Sequence, residues 1–121
     1  MNWIQLYGFD KIEILEDFKY IGSLKRSERE NMWSNFSYHS IKIKCPSDLH
    51  LIGLKGKSFR DVVYKKDGHF YDAKFKIHSI RGLSDNRDHK IIKLEVEDLN
   101  LDLIKSKEIQ RELKLSDLFT L

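Results

Sequence analysis

The sequence predicts an α+β fold that is mostly antiparallel β: a bent sheet or small barrel of about six strands, with short helices near both termini. Three observations carry this. From Ser37 onward apolar residues recur at every second position, the period of a half-buried strand. An Asp67-Gly68 pair separates two such runs, which is the signature of a two-residue hairpin turn. One proline, Pro46, and six glycines punctuate 121 residues with no linker or repeat, so the elements belong to a single domain, 1–121.

Taken in order, Asp10 is placed to cap a short helix over Lys11–Phe18, with Ile14 and Phe18 on one face. Ile12 and Ile14 also alternate as a strand would. Ser23 or Ser27 opens a second short helix through Met32 and Trp33. His39, Ile41, Ile43 and Cys45 then share one parity against Ser40, Lys42 and Lys44, a strand interrupted by Pro46 and Ser47. Leu49 and Leu51, or Ile52 and Leu54, predict a second strand closing near Gly53 or Gly56, and Phe59 to Lys66 a third.

A type I′ turn at Asp67-Gly68 fixes a register. Tyr64 faces Tyr71, Val62 faces Ala73 and Arg60 faces Phe75 on a dry side that continues to Ile77. On the wet side Lys65 faces Phe70, Val63 faces Asp72, Asp61 faces Lys74 and Phe59 faces Lys76. Later, Ile92, Leu94 and Val96 alternate on one parity, and Leu99, Leu101 and Leu103 on the other. One residue has slipped, which requires a bulge or turn at Glu97-Asp98. Ser106 caps a final short helix through Leu113, and the apolar end docks on the body.

Composition narrows the function classes. The hydrophobic content of 40% suffices for a packed core. A single cysteine, Cys45, allows no internal disulfide and suits a reducing cytoplasm. The N-terminus lacks the basic start and apolar run of a signal peptide, and no stretch approaches the ~20 apolar residues of a membrane span. The net charge of +3 is uneven. Residues 1–40 carry five Lys/Arg against six Asp/Glu, residues 41–90 twelve against six, and residues 91–121 five against seven. A basic middle suits an acidic partner.

No pattern of catalytic residues stands out. The five histidines show no metal-ligand spacing, and the hairpin register sends His69 and His78 to different faces. Cys45 reads as a buried structural thiol. Asp61 and Asp72 read as surface charges with Lys74 nearby. Gly53, Gly56, Lys57 and Ser58 lack phosphate-loop spacing. The chain is therefore expected to bind rather than catalyse, without cofactor or metal. Phe59 and Phe70 on the wet side are the expected anchors, with Arg60, Lys65, Lys74 and Lys76 steering a partner. The same basic-aromatic mixture suits single-stranded nucleic acid, the alternative ligand.

Trp33, the strand His39 to Cys45, the segment Asp48 to Gly53 and the Trp3 to Gly8 start resemble small bacterial immunity proteins that neutralise a toxin. The resemblance spans residues 30 to 104. It implies a non-enzymatic protein that occludes a toxin or effector, and a phage-borne inhibitor would share these features.

Overall fold

Strand alternation and hairpin turns build one antiparallel sheet that closes on itself. The computed structural model describes residues 1–25 and 35–119. Six strands are β1 (Trp3–Gln5), β2 (Ile12–Lys25), β3 (Asn35–Pro46), β4 (Ser58–Lys66), β5 (His69–Asp85) and β6 (His89–Leu103); one helix, α1 (Lys107–Phe119), follows. Their order is β1-β2-β3-β6-β5-β4, and β1 pairs with both β2 and β4 to complete the ring. Inside it lie Ile4, Ile12, Ile41, Ile43, Cys45, Val62, Tyr64, Phe75, Ile77, Ile92, Leu94 and Val96. No helix among the described residues is long and apolar enough to cross a membrane.

The parity of β3 is as its sequence predicts: Ile41, Ile43 and Cys45 are buried. Burial raises the Cys45 thiol above its ordinary value, despite the opposing charge of Lys90. The hairpin turn is also as expected. Asp67 has φ 51° and Gly68 φ 79°, and Tyr64–Tyr71, Val62–Ala73 and Lys65–Phe70 face each other. Apart from its chain neighbours, no atom of the described residues lies within 4 Å of where a Gly68 Cβ would stand. Gly68→Ala is therefore expected to act through backbone strain alone, costing about 1–2 kcal/mol, which urea unfolding would measure as a lower midpoint with an unchanged slope.

Further along, β4 departs from that register. A bulge between Phe59 and Val62 puts Phe59 opposite Phe75 and Ser58 opposite Lys76. One extra residue turns Phe59 from the wet side to the dry one. It is half-buried against the core, its aromatic ring 5.9 Å from that of Phe75. In β6 the slip at Glu97-Asp98 is a bulge: Asp98 has φ 56°, and pairing jumps from Lys74–Asn100 to Lys76–Glu97.

One expected helix is replaced by strand. Lys11–Phe18 is not helix but the start of β2. Its ladder with β3 slips three times, between Ile14 and Glu16, Glu16 and Lys19, and Tyr20 and Gly22. Each bulge adds a residue and breaks the two-residue period, which leaves Leu15 and Ile21 exposed and Ile14 and Phe18 packed inward. The resulting i, i+4 spacing imitates a helix. Of the second helix, Ser23 lies in β2, whereas Ser27 to Trp33 lie outside the described residues.

The strand expected over Leu49–Leu54 is a turn and one 3-10 turn, Ile52–Leu54, with Leu54 N donating to Leu51 O at 2.9 Å. Leu51 is buried against the core from there. The strand count among the described residues is nevertheless six, because β1 and β2 replace that strand and because one bulged strand, β6, spans both of the last two runs.

Candidate partner-binding surface

The helix begins where its cap predicts. Ser106 Oγ accepts from Ile109 N at 3.3 Å, and Ser106 O accepts from Gln110 N at 3.0 Å. It runs past Leu113 to Phe119. Gln110, Leu113 and Asp117, at i, i+3 and i+7, are its partly buried positions.

Two of these carry the docking. Gln110 Nε2 donates to Phe70 O at 2.9 Å and Ile104 O at 2.8 Å, and Gln110 Oε1 accepts from Phe70 N at 3.2 Å. The Asp117 carboxylate accepts from Trp3 Nε1 at 2.9 Å, from Lys11 Nζ at 3.2 Å and from Lys65 Nζ. Burial pushes this carboxyl up, but the hydrogen bonds from Lys65, Lys11 and Trp3 outweigh it and hold it below its ordinary 3.8.

That docking leaves a groove of about 630 Å³ along the other flank of α1. Lys107, Arg111 and Lys114 line it at i, i+4 and i+7, one face of a helix. Lys105 joins them from the connection, and His69 from the start of β5. Leu103 and Ile104 supply apolar lining, and among the described residues no carboxylate lines the groove. Successive cations one helical turn apart stand about 5–6 Å from each other. Such a row presents a continuous positive field to an acidic surface.

The residues expected from sequence do not gather into one patch. Phe70 is 0% exposed, with its aromatic ring 5.8 Å from that of Trp3 and Gln110 bonded to its backbone. It is no surface anchor, because α1 covers the outer face of the hairpin there. Phe59 is turned toward the core by the β4 bulge. Lys65 is committed to Asp117. Lys76 pairs with Glu97 at 3.3 Å on another part of the sheet. Lys74, opposite Asn100, is exposed as expected, whereas Arg60 loses its dry-side place opposite Phe75 to Phe59 and is exposed at the β4 bulge. His69 and His78 do lie apart: His78 packs edge-on to Tyr38 with centroids 4.6 Å apart. Among the described residues no three His, Cys, Asp or Glu side chains form a group able to hold a metal ion.

No protein-family model matches the chain, and no curated protein or solved structure is significantly similar to it. Its site must therefore be judged on its own geometry. The 107/111/114 spacing is visible in the sequence, but the acidic balance of residues 91–121 masks it. Glu108 and Glu112 share the helix without lining the groove.

A second knot of charge closes the opposite side of the hairpin. Asp17, on a bulge of β2, accepts from the Tyr64 hydroxyl and from Lys66 Nζ at 2.7 Å. Burial and the neighbouring Asp17 push the Tyr64 phenol above its ordinary range, so it remains a proton donor. The arrangement ties β2 to β4 and reads as structural.

Proposed function

We propose that the chain is a non-enzymatic binding protein that occludes a protein partner, docking an acidic face of that partner on the α1 groove. The observation that carries this reading is a concave surface lined, among the described residues, by four Lys/Arg and one His, with no carboxylate, and with Leu103 and Ile104 beside them. Cations steer encounter and set orientation, while desolvated apolar contacts slow dissociation. Exposed Leu115 and Leu118, on the groove side of the same helix, extend the apolar contact available to a protein partner. This is the role the immunity-protein resemblance implies, with a toxin or effector as the occluded partner. Nucleic acid is less favoured as the ligand, because Phe70 is buried and Phe59 is turned inward, so neither offers a free stacking platform.

The test is capture from nuclease-treated extract of the source cells, with wild type and with the Lys107→Glu/Arg111→Glu/Lys114→Glu variant as baits. A protein is expected that binds wild type and loses at least tenfold in affinity to the variant, with a fall in affinity as salt rises. Equal binding to both baits would refute the groove. Retention of nucleic acid alone from a parallel untreated extract, lost on nuclease treatment, would establish the other ligand class.

A further inference from the structure

Donors from three parts of the chain converge on one carboxylate outside the ring of strands. Trp3 Nε1, Lys11 Nζ and Lys65 Nζ all point to Asp117 of α1. Lys11 Nζ also stands 4.7 Å from the centre of the Trp3 indole. Trp3 and Phe70 are 2% and 0% exposed, yet neither belongs to the core inside the ring. Their cover is α1. The helix itself buries none of its residues, and its hydrogen bonds to the sheet include those of Gln110 and Asp117. An aromatic pair is thus kept dry by a helix that hides little of its own apolar surface. α1 stands to this platform as a ligand stands to a receptor: two ammonium groups and an indole N–H read one acid, and two aromatic side chains support it.

We propose that the Trp3/Phe70/Lys11/Lys65 platform is a receptor for an amphipathic helix that presents a carboxylate, that Asp117 holds it closed in cis, and that the partner inferred above opens it by supplying a carboxylate of its own. This rests on the protein-partner reading. A concavity lined by Lys65, Asp67, His69, Lys114 and Asp117 shares His69 and Lys114 with the cationic groove, so a helix arriving in the groove meets the Asp117 contact. The tethered α1 competes at the effective concentration of a short linker, on the order of millimolar. Affinity for an incoming helix is reduced by the fraction of molecules in which α1 is docked. Loosening α1 therefore raises that affinity.

The experiment uses the full chain with Trp33→Phe, which leaves Trp3 as the sole tryptophan. Asp117→Ala and, separately, Gln110→Ala loosen α1. The probe is a synthetic peptide of residues 106–119 added in trans. Asp117→Ala is expected to raise acrylamide quenching of Trp3 at least twofold while the strand circular dichroism persists. It is expected to bind the peptide at least tenfold more tightly than the parent does. Adding Lys65→Glu, or using a peptide with Asp117→Asn, should each lower that binding tenfold. If Asp117→Ala loses its strand signal, Gln110→Ala carries the same test.

Quenching and peptide affinity unchanged in the folded variant overturn the proposal. So does a concentration-dependent dimer that takes up no peptide, because the occupant is then a second copy. Peptide binding needs no natural partner. A positive peptide result beside equal capture by both baits above sinks the groove and keeps the receptor, and the reverse pattern does the opposite.

Discussion

Phe70→Ala is expected to lower the unfolding free energy by about 3–5 kcal/mol, the usual cost of removing a buried aromatic side chain. The expectation rests on its placement: 0% exposed, packed on Trp3, beneath a helix whose Gln110 bonds both its N–H and its C=O. A surface anchor at the same position would change stability by less than about 0.5 kcal/mol. Urea unfolding separates the two without ambiguity. Against a total stability of about 5–15 kcal/mol, the loss is large. A midpoint equal to that of wild type would mean that α1 does not cover this face, and the account of the groove would fall with it.

The second large effect lies at the other knot. Asp17→Ala is expected to cost about 1–3 kcal/mol, the penalty of leaving a buried hydroxyl without a partner. The hydroxyl is that of Tyr64, a residue 2% exposed; Lys66 loses its counter-ion as well. Tyr64→Phe is expected to cost less, because Asp17 is partly solvated and keeps Lys66. Urea midpoints of the two variants, compared with wild type, would reverse this order if the hydroxyl were not the group left stranded.

The pH dependence has a definite sign. Burial raises the Asp17 carboxyl, but hydrogen bonds from Lys66, Tyr64 and the Phe18 amide outweigh it and hold it below 3.8. Asp117 is shifted the same way. A depressed folded value means stability that is present above pH 3.8 and is lost as pH falls through the folded value. Unfolding midpoints measured below about pH 4 should fall for wild type and flatten for the Asp17→Asn/Asp117→Asn pair. A wild-type profile that stays level in that acid range would contradict both assignments.

Much of this architecture is legible where local chemistry is decisive. Asp67-Gly68 fixes its own turn because both positions need positive φ. The parity change between Val96 and Leu99 announces the Asp98 bulge because a strand has only two faces. Other features are hidden for the same reason. The β2 bulges and the β4 bulge each add one residue, mostly without a Gly or Pro to mark the place, and each reverses the face of the residues beyond it. Phe59 is misplaced in the sequence reading by such a slip.

Phe70 is misplaced differently. Its parity correctly indicates the outer face, but nothing in the hairpin says that a helix more than thirty residues later will cover that face. The candidate groove shares this fate. Its cations are readable as a helical stripe, while their meeting with His69 depends on Asp117 and Gln110 docking α1 on a distant hairpin.

The shortness of β1 has a consequence for the order of assembly. Three residues at the start of the chain, Trp3–Gln5, supply the only seam between β2 and β4 among the described residues. Trp3 must find Lys65 across a long stretch of chain, whereas each hairpin forms through nearer contacts. Loop-closure entropy grows with that separation, and slow steps in folding track it. The hairpins are thus expected to be in place before the seam closes. Closure also sets Trp3 beside Phe70, so the platform that α1 needs exists only once the ring is whole. Helix docking then becomes the final event, and the first to be undone.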